Sequence, residues 1–166
     1  MDTEFTIAEI KDLKDIVAIY NWAILNTTAT FDIELKTVDS HLSWFLEHDE
    51  QHPIIILRSA DQVVGWGSIS RWSSKLAYAG MGEVSVYVNP EFHGCGLGSK
   101  ILVHLLQIGK EKGFRTLASQ ISDSSEVSLH LHRKHGFVDT GVLRQAGVKF
   151  GKVVDVLILQ VFFENK

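Results

Sequence analysis

The stretch His93-Gly94-Cys95-Gly96-Leu97-Gly98-Ser99 sets three glycines at alternate positions. Glycines let successive backbone N–H groups turn toward one point and let a ligand approach the chain closely. Beyond the loop, Ile101, Leu105 and Ile108 recur at helical spacing with Leu102 and Leu106 beside them, and Gly113 follows as a terminator, which predicts a helix over Leu97 to Lys112. A helix N-terminus offers unpaired N–H groups and the positive end of its dipole, so the chemistry suited to this loop is the holding of a phosphate or pyrophosphate. A Walker loop is excluded, because it requires Gly-Lys-Ser/Thr where this chain reads Gly98-Ser99-Lys100. A dinucleotide fingerprint fits poorly in the placement of its third glycine and lies, as a rule, in an opening βαβ unit.

Two ionisable residues near this loop could move a proton. Glu83 opens a strand in which Val84, Val86 and Val88 share one face and Glu83, Ser85 and Tyr87 the other. A carboxylate there can serve as a general base; by spacing alone it reads equally well as a strand-start carboxylate paired with a surface cation. His132 titrates near neutrality and is a second acceptor of protons, or else one imidazole on a partly exposed helix. The cluster His130, His132 and His135 invites a metal reading, but helical residues two apart point roughly 200° away from each other, and no neighbouring Cys completes a ligand set. No metal site is expected. Cys95 beside a helix N-terminus could have a lowered pKa, yet the motif places no base next to it.

The elements that must position these groups are legible. A short strand over Glu4 to Ala8 precedes Asp12, an N-cap candidate, and a helix through residue 25 whose stripe is Leu13, Ile16, Val17, Tyr20, Ala23 and Ile24. A second helix is expected over Asp39 to Glu50, with Leu42, Phe45 and Leu46 inward and Pro53 closing the region. Ile54 to Leu57 and Val63 to Ile69 read as a hairpin turned at Asp61-Gln62, and Thr116 to Ser122 as a later strand. Glu126 to His135 reads as a short helix with Ser125 at its start, and Val138 to Val148 and Val153 to Phe163 as two strands turned near Gly151.

With 166 residues, 45% hydrophobic and 22% charged, the chain is long enough and apolar enough for one domain with its own core. The net charge of -4 argues against a nucleic-acid partner. No apolar run approaches the ~18 residues of a membrane span. The single cysteine cannot form an internal disulfide, and the acidic start MDTEFTIAEI has no basic segment followed by an apolar one, so a cytoplasmic location is expected.

The glycine loop resembles the acetyl-CoA pyrophosphate loop of the GNAT superfamily of N-acetyltransferases, Gln/Arg-x-x-Gly-x-Gly/Ala, with Gly96 and Gly98 matching and His93 in place of Gln/Arg. Within it the chain is similar to phosphinothricin and methionine sulfoximine N-acetyltransferases. The likeness rests on Ile19-Tyr20-Asn21, Trp72, Ala77-Tyr78, Glu83 before Val86-Tyr87-Val88, the loop, Ser128 with Leu131-His132, Gly136-Phe137, and Arg144-x-x-Gly147-x-Lys149-x-Gly151-x-x-x-Asp155-Val156. The resemblance implies an α/β GNAT fold with a mixed, largely antiparallel sheet flanked by helices. It also implies direct acetyl transfer from acetyl-CoA to the α-amine of a small amino-acid analogue, in a homodimer. It makes Glu83 and His132 the catalytic residues. Backbone groups of Val86, Tyr87 and Val88 would pair with the pantetheine arm, the loop His93, Gly94, Cys95, Gly96, Leu97, Gly98 and Ser99 would hold the pyrophosphate, and Ser125 stands where the family often has Asn.

An acidic amino-acid acceptor calls for a cation and aromatic walls, for which Phe31, Trp72, Lys75, Tyr78 and Arg144 are the candidates. Lys75 replaces the arginine common in relatives, which exchanges a bidentate fork for a point charge. Phe31 and Trp72 read equally as core. No tyrosine occurs from residue 114 onward to protonate the departing thiolate; a thiol of pKa ~8.5 leaves tolerably without one. Two other readings stay open: a non-catalytic acetyl-CoA-binding sensor and a nucleotide-binding oxidoreductase module.

Overall fold

The computed structural model describes residues 1–164. Strand β1 (Glu4–Ile7) leads through a 3-10 turn into helix α1 (Leu13–Asn26), and α2 (Val38–Leu46) precedes the hairpin β2 (Ile54–Ser59) and β3 (Gln62–Arg71). Then come β4 (Met81–Val88), α3 (Leu97–Glu111), β5 (Thr116–Ser122), α4 (Glu126–Lys134), β6 (Val138–Lys149) and β7 (Lys152–Phe162). All seven strands join one sheet in the order β1-β2-β3-β4-β5-β7-β6. Every neighbouring pair is antiparallel except β4 and β5, so the sheet is mixed and largely antiparallel, as expected.

The parallel pair is short. Met81, Gly82 and Glu83 pair with Thr116, Leu117 and Ala118, after which β4 runs on to Val88 and β5 to Ser122 without pairing to each other. The two strands therefore diverge from Glu83 onward. On one face of the sheet α3 and α4 cover a core of Leu57, Ile69, Val84, Leu97, Ile101, Leu105, Leu117, Ile121, Leu129 and Phe137. On the other, α1 and α2 cover Leu13, Ile16, Val17, Ile54, Ile56, Val63 and Trp66.

Helix α3 lies close against β3 because that strand has glycine where the helix crosses. A Cβ at Gly67 would stand 2.7 Å from Ile101 Cγ2 and 2.9 Å from Leu105 Cδ1, and one at Gly65 2.8 Å from Ile101 Cδ1. Those two strand glycines thus set the depth of the helix whose N-terminus follows the glycine loop.

Two local expectations are corrected. Helix α2 ends at Leu46 and starts at a Thr37–Ser40 capping box. Its buried residue is His41, stacked between Tyr20 and Trp44, while Leu46 is exposed, because the helix packs through aromatic rings. Asp12 stands at the N-cap position of α1 but makes no side-chain cap. Its carboxylate instead accepts from the Glu9 N–H at 2.9 Å and from Arg58 at 2.5 Å.

Candidate active site

The divergence of β4 and β5 opens a cleft of about 1140 Å³ whose walls are α1, β4, the glycine loop, the start of α4 and the β6–β7 turn. Asn89 N–H donates to Val64 on β3. By the alternation of an antiparallel ladder, the peptide groups of Val86 and Val88 then face away from β3 and into the gap. They are an edge to which an extended, amide-bearing chain can add as a further strand.

At the mouth of this edge the chain turns through Gly94 and Gly96, with φ of 77° and 76°. Gly96 is the N-cap residue of α3 and provides no side-chain cap. Among the described residues the amides of Gly96, Leu97, Gly98 and Ser99 have no acceptor. Nothing lies within 4 Å of where a Cβ on Gly94 or Gly96 would be. Free amides, a helix dipole and open space above the loop fit a pyrophosphate. The Ser125 hydroxyl, which makes no cap bond to its own helix, also lines the cleft.

His93 is used differently from the rest of the loop. Its Nε2 is bonded to Val88 O at 3.0 Å and its ring meets Trp22 edge-on at 5.1 Å, so it braces the loop against β4 and α1. Ser99 Oγ is bonded to His135 Nε2 at 2.6 Å, which ties the loop to the end of α4. Cys95 is exposed and lies outside the cleft wall.

Glu83 sits where the pairing of β4 with β5 ends. Gly82 and Val84 face the α3 side, where Gly82 abuts Ile69, Leu117 and Phe114; Glu83, Ser85 and Tyr87 therefore face the α1–α2 side. Gln120 Nε2 donates to Glu83 Oε1 at 2.9 Å. Burial raises the Glu83 carboxyl above the ordinary glutamate range, and the Gln120 hydrogen bond only partly opposes this. A half-buried carboxylate with a raised pKa is a better proton acceptor than an exposed one.

His132 lies on the other face. It is 4% exposed, packs edge-on against Phe137 at 5.0 Å, and its Nδ1 donates to Ser128 O at 2.8 Å. Its Nε2 has no partner among the described residues, and burial lowers its pKa. The sheet thus separates Glu83 from His132, and neither side chain lines the cleft itself, whose β4 wall is Val86, Tyr87 and Val88.

The expected acceptor residues are dispersed. Trp72, Lys75 and Tyr78 lie in the connection between β3 and β4, with Lys75 exposed. Arg144 is exposed on β6 and paired with Asp155 at 2.7 Å. Phe31 lies in the α1–α2 loop against Gly147. None of the five lines the cleft. The cleft wall instead collects Trp22, Thr28, Ser124 and Phe150, which had no motif to mark them, and Lys149, which belongs to the Arg144 to Val156 pattern but was not singled out as a site residue. Trp22 falls off the apolar stripe of α1, and Lys149 carried no sign of burial in its sequence neighbourhood. Among the described residues no cluster of metal-ligating side chains occurs.

Comparison with known proteins agrees with this geometry. A profile described as "Acetyltransferase (GNAT) family" matches residues 16–137. The L-amino acid N-acyltransferase MnaT of Escherichia coli is 31% identical over 93% of this chain and 91% of its own. The L-methionine sulfoximine/L-methionine sulfone acetyltransferase of Pseudomonas aeruginosa is 33% identical over 93% and 91%. The crystal structure of a phosphinothricin acetyltransferase from Sinorhizobium meliloti in complex with AcCoA superposes with a TM-score of 0.89 at 27% identity, covering 96% of this chain and 88% of that one. A sheet forked beside a glycine loop, with a family match spanning most of the chain, leads to one conclusion: the protein belongs to the acetyltransferase (GNAT) family.

Proposed function

We propose that this chain transfers acetyl from acetyl-CoA to the α-amine of a small amino-acid analogue of the phosphinothricin or methionine sulfoximine kind. The observation that carries the reading is the placement of Glu83 at the fork between β4 and β5, beside the outward-facing peptide groups of Val86 and Val88. Acetyl-CoA supplies an activated acyl thioester. The amides of Gly96 to Ser99 hold its pyrophosphate, the β4 edge orients its pantetheine arm, and Ser125 donates to it. The acceptor must lose a proton before it can attack, since an α-amine with pKa ~8 is largely protonated at neutral pH. Glu83 takes that proton, directly or through a water, and its raised pKa brings it closer to the amine's. We assign the base to Glu83 rather than to His132, which is buried behind the sheet. Solvent protonates the departing thiolate.

The three relatives described above, each named for an amino acid or an amino-acid analogue, support this acceptor class. Exposed apolar side chains on the edge hairpin, Val142, Leu143, Val148 and Val153, support the homodimer. A cytoplasmic location suits the lone exposed thiol of Cys95. Thiol release from acetyl-CoA, measured against phosphinothricin, methionine sulfoximine, methionine sulfone and ordinary amino acids, tests the activity. Tight acetyl-CoA binding without turnover on any amine would point instead to a sensor, and sedimentation equilibrium reads the oligomeric state.

A further inference from the structure

Three lysines line the cleft, and two of them, Lys134 and Lys152, are exposed. Lys149 differs, being only 4% exposed. Its Nζ lies 5.3 Å from the centre of the Phe150 ring and donates to Thr30 O at 2.6 Å, one hydrogen bond for an ammonium that has three N–H groups. No carboxylate pairs with it among the described residues. Asp32, the acidic group whose charge it feels, is engaged by the Tyr20 hydroxyl at 2.7 Å and by Lys36 at 3.2 Å. Asp123 and Glu126 line the same cleft without bonding to it. Burial pushes the Lys149 pKa below the lysine range. A cation held out of water with two donors unused is unfavourable for folding, and a ligand anion would complete its bonding.

The position of Lys149 says which anion. Pyrophosphate is met by the amides at the start of α3, whereas Lys149 bonds to the loop after α1. In that loop Ala29 O accepts from Tyr87 OH at 3.4 Å, and Tyr87 shares its face of β4 with Glu83. The ammonium therefore stands on the side of β4 from which an amine reaches Glu83. We propose that Lys149 is the specificity-determining cation that binds the carboxylate of the acceptor amino acid, an inference that rests on the acceptor class given above. It takes the role for which Lys75 and Arg144, both outside the cleft, are poorly placed.

The test compares methionine sulfone with its carboxamide, which keeps the amine and loses the charge. Binding of each to the CoA-loaded protein is measured by calorimetry, with turnover measured separately. Wild-type protein should bind the carboxylate compound more tightly than the amide. Lys149→Met should weaken the carboxylate compound roughly 10- to 100-fold, as expected for a lost charge-assisted hydrogen bond, and leave the amide and CoA unchanged; Lys149→Arg should restore part of the loss. Equal weakening of both compounds, a loss of CoA affinity, or a wild-type protein that binds neither compound or does not distinguish them would overturn the assignment. Should Lys149→Met fail to fold, the wild-type preference and the Lys149→Arg variant still decide it. Carboxylate-dependent binding without thiol release would overturn acetyl transfer while upholding Lys149.

Discussion

Gln120 donates a hydrogen bond to Glu83 at 2.9 Å across the point where β4 and β5 cease to pair. The bond joins the two arms of the fork and, among the described residues, is the one side-chain interaction that opposes the burial of the Glu83 carboxylate. Glu83→Gln should lower kcat by about 10²- to 10⁴-fold with acetyl-CoA affinity unchanged, measured by thiol release and calorimetry. A full rate in this variant, with an unaltered pH profile, would falsify the general-base role.

The same bond sets a pH dependence. Activity requires Glu83 ionised, so kcat/KM should fall as pH drops through a pKa lying above the ordinary glutamate value of 4.5. Gln120→Leu removes the donor that stabilises the carboxylate. The acid limb should then move to higher pH, and a limb that stays in place would separate Gln120 from catalysis.

His132 should act on stability rather than on proton transfer. Its folded-state pKa is lowered from 6.5, so the unfolded chain binds a proton that the folded chain resists. The contribution is present above that value and lost as pH falls below it toward the lowered one. His132→Phe should flatten the acid side of the melting-temperature profile in that window while keeping most of kcat at neutral pH. A collapse of kcat in a well-folded variant would restore His132 as a catalytic residue.

The glycines of β3 and of the loop should respond differently to alanine. Gly67→Ala sets a methyl 2.9 Å from Ser85 O, a backbone atom, and against Ile101 and Leu105. It should destabilise the fold by about 1–3 kcal/mol and, by shifting α3, weaken acetyl-CoA binding. Denaturant melts and calorimetry measure the two effects.

Gly96 has φ of 76° with open space around it, so Gly96→Ala should cost about 1–2 kcal/mol of backbone strain and lower acetyl-CoA affinity. Gly98 has no such φ, and its added methyl would meet Leu131 at an ordinary 3.4 Å. Gly98→Ala should keep both the melting temperature and the affinity.

Much of this protein is determined by local sequence. The loop from His93 to Ser99, the amphipathic helix after it and the alternation of Glu83 to Val88 are short-range patterns, since helix and strand periods and glycine's freedom act within a few residues. Strand alternation made Glu83 a candidate before any fold was known, and the family resemblance singled it out over a surface carboxylate. Where α2 ends, how far β4 and β5 pair and which face His132 occupies depend on contacts between segments distant in the chain. Only the tertiary structure decided that the sheet parts at Glu83, that Gln120 meets it there, and that His132 lies behind the sheet. The cation in the cleft follows the same rule. Lys149 becomes buried because Thr30, 119 positions earlier, folds over it, while Lys75 and Arg144 stay outside the cleft wall. Burial is a property of packing, so no pattern within one segment reports it.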